Sequence, residues 1–142
     1  YLDYVHDVDI PRYLAPNPAL DAMLARLPRP KSVFTNSITS WAERVTQRLG
    51  VRDHFDQVFD VRAVGYKSKP HPHAYERVLT TLDLPGEACV MLDDGVAYLR
   101  GAKAAGITTI QVRAGATPNE HVDYAVATVL DAEPVLQKLL AG

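Results

Sequence analysis

Thr35 followed by Asn36, Lys69 followed by Pro70, and the consecutive aspartates Asp93 and Asp94 stand at or just beyond the ends of apolar runs. Together they offer a hydroxyl donor, a cation and a pair of carboxylates. Two adjacent carboxylates in a partly dry cleft repel each other, and a divalent cation with a taste for hard oxygen ligands removes that cost. Magnesium is the natural occupant. An ammonium on the loop stiffened by Pro70 suits a phosphoryl oxygen that gains charge during transfer, and Thr35 can donate to the same group. Taken singly, each feature has a plainer reading. Lys-Pro dipeptides and Thr-Asn turns are common on surfaces, and Asp93-Asp94 would serve as an N-terminal cap for the helix that begins near Val96. Their order along the chain, on successive strand ends, favours a shared site.

The elements that must position them alternate between short β-rich runs and helical periodicity, which predicts repeated βα units and a parallel sheet. Asn17 before Pro18 caps a helix whose core face is Leu20, Met23, Leu24 and Leu27. The run KSVFTN at 31–36 is a buried strand with a polar end. Ser40 and Glu43 have capping-box spacing for a second helix, with Trp41, Val45 and Leu49 inward and Gly50 as its stop. FDQVFDV at 55–61 is the next strand, and a long polar loop, RAVGYKSKPHP, follows. A third helix runs through Ala74, Tyr75, Val78, Leu79 and Leu82. ACVMLDD at 88–94 is almost wholly apolar until its two carboxylates, the pattern of a central strand. A fourth helix carries Leu99 and Ala102 to Gly106. Strands are expected at 108–112 and 124–129, and Asp131 is placed to cap a terminal helix. In open parallel sheets ligands bind beyond the carboxyl ends of the strands, where Thr35, Asn36, Asp93 and Asp94 fall.

The bulk properties narrow the partners. A chain of 142 residues fits one domain, and 47% apolar with 23% charged residues is ordinary globular usage. Fifteen basic against seventeen acidic residues, without a basic cluster, argue against nucleic acid as a partner. No run approaches the ~18 apolar residues of a membrane span. The lone Cys89 excludes an intrachain disulfide and a thiolate zinc cluster, so a reducing cytoplasm is the expected compartment. Its apolar neighbours predict a buried thiol. His54, His71, His73 and His121 show no ligand spacing on one element and read as loop residues. Trp41, Tyr75 and Tyr98 read as packing. No apolar patch or heptad seam fixes an oligomeric state.

In its ordered Thr, Lys-Pro and acidic-pair signatures the sequence resembles the haloacid-dehalogenase-like hydrolase superfamily. The segments YVHDVD, FTN, ERVTQRLGV, HFDQVFDV and KPHPHAYE look like its pyrimidine 5'-nucleotidase branch. The resemblance implies a Rossmann-like α/β core of three layers with a mostly parallel sheet. It implies hydrolysis of a small phosphomonoester through an aspartyl-phosphate, with Thr35 and Asn36 at the phosphate. Lys69 would stabilise nucleophile and phosphate, and Asp94 and Asp93 would hold Mg2+.

The family's nucleophile motif, D-x-D-x-T/V at the end of the first central strand, and its helical cap have no clear counterpart. Asp7-Val8-Asp9 is the sole D-x-D. Reading Asp7 as nucleophile and Asp9 as acid/base of a capless phosphatase would bury Asp3 and His6 in a central strand, at a cost on the order of several kcal/mol if unpaired. Assigning residues 1–16 to a connector from cap to core avoids that cost. Residues 1–142 then form one core domain without its usual first central strand, a C-terminal part of a longer protein that begins upstream of Tyr1, and are inactive alone. A non-catalytic module that keeps the grip on phosphate and magnesium is the competing expectation.

Overall fold

Local sequence accounts for most of the elements. The structure, a computed structural model, describes residues 15–141; Asp3, His6, Asp7 and Asp9 lie outside that range. The described residues fall into two compact units, one ending at Ala63 and the other beginning at Val64.

In the first unit, helix α1 (Pro18–Arg26) opens as expected: Asn17 Oδ1 accepts the Leu20 amide at 3.0 Å, and Leu20 and Met23 are buried. Strands β1 (Ser32–Phe34) and β2 (Gln57–Phe59) pair in parallel, with Val33 opposite Val58. Between them runs α2 (Thr39–Leu49), which buries Ala42, Val45 and Leu49 and stops where Gly50 takes φ 79°. The Ser40/Glu43 capping box does not form. Ile38 holds the N-cap position with no side-chain bond, Ser40 is exposed, and Glu43 pairs with Arg52 at 3.1 Å. The cap comes from far along the chain instead: Asp60 Oδ2 accepts from Thr39 N at 3.1 Å and Thr39 Oγ1 at 2.7 Å. A carboxylate there also meets the positive end of the helix dipole.

The second unit holds α3 (Pro72–Leu82), β3 (Val90–Asp93), α4 (Val96–Ala104), β4 (Thr108–Val112), β5 (Tyr124–Val126) and α5 (Glu133–Ala141). Its three strands are parallel in the order β3-β4-β5. The central position belongs to β4, where Thr109, Ile110 and Gln111 are buried. Among the described residues β3 pairs with β4 alone, and Val90 is 38% exposed, so the apolar run 88–94 forms an edge strand here rather than a central one. Residues Gly86–Ala88 turn as a 3-10 helix and delay the strand to Val90. The strand expected at 124–129 ends at Val126. Thr128 and Asp131 then close a reciprocal capping box around a 3-10 turn, Val129–Ala132, so Asp131 braces that turn instead of capping α5 directly. Helices alternating with parallel strands make the fold α/β and Rossmann-like.

One packing detail is exacting. Tyr75 on α3 is fully buried, and its ring lies against Gly101 of α4, where an added Cβ would stand 2.5 Å from Tyr75 Cε2. Glycine is required there for space, with no call on its backbone freedom.

Candidate functional site

At the carboxyl end of β3 a lysine meets the acidic pair. Lys69 Nζ lies 3.1 Å from Asp93 Oδ2, and the two side chains are 2% and 5% exposed. The Gly95 amide donates to the other oxygen, Asp93 Oδ1, at 3.0 Å. Burial alone would push the Asp93 carboxyl up. The Lys69 charge and the hydrogen bonds from Gly95 and Lys69 outweigh it and hold the group below the usual carboxylate range.

The lysine is enclosed from another side by aromatic packing. Its Nζ stands 5.1 Å from the centre of the Tyr98 ring, a cation–π distance. Tyr98 is placed in turn by Tyr75, whose hydroxyl donates to the Tyr98 carbonyl at 2.6 Å. Burial, then the nearby Asp93 charge, pushes the Tyr75 hydroxyl far up, so it stays a donor. Gly95 gives the Tyr98 ring its room, since a Cβ at Gly95 would fall 2.8 Å from Tyr98 Cδ2.

Asp94 follows at the start of the turn into α4, half-buried, with its backbone carbonyl accepting from Gln111 Nε2 at 3.0 Å. Lys69, Asp93 and Asp94 are thus assembled within one unit. Among the described residues no group of three or more His, Cys, Asp or Glu gathers as a metal cage. Magnesium does not need one, because it commonly takes one or two carboxylates and completes its shell with water and phosphate. Two adjacent carboxylates with hard oxygens fit that donor set.

Thr35 and Asn36 belong to the first unit, at the end of β1. Thr35 is 1% exposed; its amide extends the ladder to Phe59 O at 2.9 Å and its Oγ1 accepts from Ser37 N at 3.0 Å. Asn36 is half-buried beside it. At the end of β2, Asp60 accepts from Thr39, Arg62 and Ala63. Burial would raise its pKa, but these hydrogen bonds reverse the effect and hold it down to about 2.

Sequence reasoning did not single out Gln111 or Asp60 and assigned Tyr98 to packing alone. The signal for Gln111 was available: a carboxamide within the strand TTIQV, where burial without a partner is costly. Asp60 gave none of its role as the cap of α2, because Thr39 lies 21 positions away. Cys89 is only half-buried, and its thiol is pushed up by what burial it has. His71 and His73 come within 6.3 Å of one another, the His71 ring nitrogen accepting the His73 amide as a local cap. Beyond β4 a polar hollow of about 400 Å³ is lined by Gln111, Arg113, Thr117 and Asn119 among others. No helix is long and apolar enough to cross a membrane among the described residues.

Three comparisons bear on this arrangement. A family model described as haloacid dehalogenase-like hydrolase matches residues 3–106. Fructose-1-phosphate phosphatase YqaB of Escherichia coli (strain K12) is 31% identical over 85 residues, covering 60% of this chain and 45% of that protein. The chain spans less than half the length of the curated relatives it matches. Among solved structures, a conserved haloacid dehalogenase-like protein of unknown function from Agrobacterium tumefaciens strain C58 superposes with TM-score 0.74 at 18% identity, covering 94% of this chain and 64% of that one. The HAD-hydrolase YfnB from Bacillus subtilis, bound to magnesium, superposes with TM-score 0.70 at 16% identity, covering 81% of this chain and 53% of that one.

Proposed function

This chain belongs to the haloacid dehalogenase-like hydrolase family, and we propose that it supplies the phosphate- and magnesium-binding part of a phosphatase acting on a small phosphomonoester. The observation that carries this reading is the buried Lys69–Asp93 pair with Asp94 beside it at the carboxyl end of β3. The phosphatase relative in Escherichia coli supports the reaction class.

In this reading Asp94 and Asp93 hold Mg2+, which when bound supplies positive charge to the phosphoryl oxygens. Lys69 adds a second, fixed cation, already desolvated and held in place by Asp93 and Tyr98. Fixed charges of this kind act on the developing negative charge without reorganising. By the family resemblance Thr35 and Asn36, in the first unit, are assigned to phosphate binding as well. In the reaction proposed, a carboxylate attacks phosphorus and displaces the alcohol, and water then hydrolyses the aspartyl-phosphate, dividing one hard displacement into two easier ones. A pyrimidine 5'-nucleotide is the substrate that the nucleotidase-like segments favour, in a cytoplasmic setting. A second reading, magnesium and phosphate binding without turnover, uses the same grip of Lys69, Asp93 and Asp94.

The test is steady-state hydrolysis of a panel of nucleoside and sugar monophosphates by the full-length protein with magnesium. Asp94→Asn and Lys69→Met should each lower kcat/KM by about 10²-fold or more. Wild-type rates in both variants would sink the site assignment, and binding of phosphate and magnesium without any turnover would select the second reading.

A further inference from the structure

The peptide between Asp94 and Gly95 is anchored at both of its polar ends. Its N–H, on Gly95, donates to Asp93 Oδ1 at 3.0 Å, and its C=O, on Asp94, accepts from Gln111 Nε2 at 3.0 Å. A rotation of that peptide plane would lose both bonds together. From this geometry we propose that Gln111 is a positioning residue: by holding the Asp94–Gly95 peptide it fixes the two carboxylates of the acidic pair relative to one another. The proposal rests on the reading of Asp93-Asp94 as the magnesium-binding pair.

The placement of Gln111 fits this role and not that of a generic strand residue. It stands directly opposite Asp93 in the parallel ladder of β3 with β4, so its side chain needs to reach only one residue past the end of the neighbouring strand. It is 4% exposed between Ile110 and Val112, where an aliphatic side chain would satisfy the core without a polar group to compensate. The Asp94 carbonyl, in turn, lies beyond the last ladder pair, in the turn between β3 and α4. The side chain of a neighbouring strand therefore completes a turn that the backbone ladder leaves open. The bond also belongs to a longer relay. Gln111 holds the peptide, the peptide donates to one oxygen of Asp93, and Lys69 takes the other. Groups that orient a metal ligand in this indirect way are commonly worth 10- to 100-fold in metal affinity.

Two variants of the full-length protein test the idea. Gln111→Met keeps the length and removes the donors; Gln111→Asn keeps the amide but falls a methylene short, and it decides the matter should the methionine variant fail to fold. Magnesium chloride is titrated into each by calorimetry, and the exchange of the Gly95 amide with deuterium is followed by nuclear magnetic resonance in metal-free buffer. The expected result is a rise of about tenfold in the magnesium Kd, faster Gly95 exchange, and a kcat that recovers at saturating magnesium while the half-saturating concentration does not. A folded variant with wild-type magnesium affinity overturns the positioning role and leaves the proposed function standing. A wild-type protein that takes up no magnesium overturns the reading of the acidic pair, and the role of Gln111 with it.

Discussion

Lys69 and Asp93 neutralise each other inside the second unit, 3.1 Å apart and with 2% and 5% of their side chains exposed. Such a pair does not by itself argue for high stability, because removing both charges from water costs about as much as their attraction returns. Its value in the proposed reaction is a cation whose desolvation and position are settled before substrate arrives.

The pair makes a stability prediction. Lys69→Met leaves the Asp93 carboxylate buried without its cation, and should lower unfolding stability by about 3–5 kcal/mol. Adding Asp93→Leu to that variant should restore much of the loss, since no charge then remains buried. Urea unfolding of the two variants measures this; an unchanged midpoint in Lys69→Met would show that Asp93 is not held by Lys69 in solution.

Asp60 sets a pH dependence in the first unit. Its carboxyl is held below its ordinary value of 3.8, to about 2, by donors that outweigh the effect of burial. A group depressed on folding contributes stability above its unfolded pKa, and that contribution disappears as pH falls through the folded value. Stability should therefore decline from about pH 4 toward pH 2, and Asp60→Asn should be weaker by about 1 kcal/mol at pH 7 while losing less across the acid range. Thermal melts at pH 7 and pH 3 for both proteins decide it, with parallel declines counting against the account.

Gly101 tests the packing around the site. Alanine there would place a Cβ 2.5 Å from the Tyr75 ring, and overpacking of this sort typically costs about 1–3 kcal/mol. Displacing Tyr75 would also disturb the carbonyl of Tyr98, on whose ring Lys69 rests. Gly101→Ala should lower both the melting temperature and kcat. Wild-type values for both would mean that α3 and α4 shift apart at no cost.

Much of this arrangement was readable from residue order, and the rest was not for identifiable reasons. Asn17 before Pro18, and Gly50 after Leu49, act through neighbours three or four residues away, so α1 and the end of α2 follow from local chemistry. The α/β class follows from βα spacing. The Ser40/Glu43 box looked as sound by the same logic, yet Asp60 supplies the cap from 21 positions downstream. Gln111 announces in the sequence only a buried carboxamide, and Tyr98 only a packing ring; their partners, Asp94 and Lys69, are brought to them by strand register and helix packing. That β3 pairs with β4 alone among the described residues was equally invisible, because an apolar run records burial and not how many strands lie beside it.

The distant cap on α2 also bears on the order in which the first unit assembles. A helix that lacks its own N-terminal partner is a poor nucleus, so α2 should gain little structure until β2 has brought Asp60 to Thr39. Folding of this unit is then led by a contact between residues far apart in the chain, which slows it relative to a helix closed by its neighbours. In kinetic terms, Thr39→Val, which removes the hydroxyl bond from the helix side alone, should report through its φ-value how far this pairing has formed in the transition state.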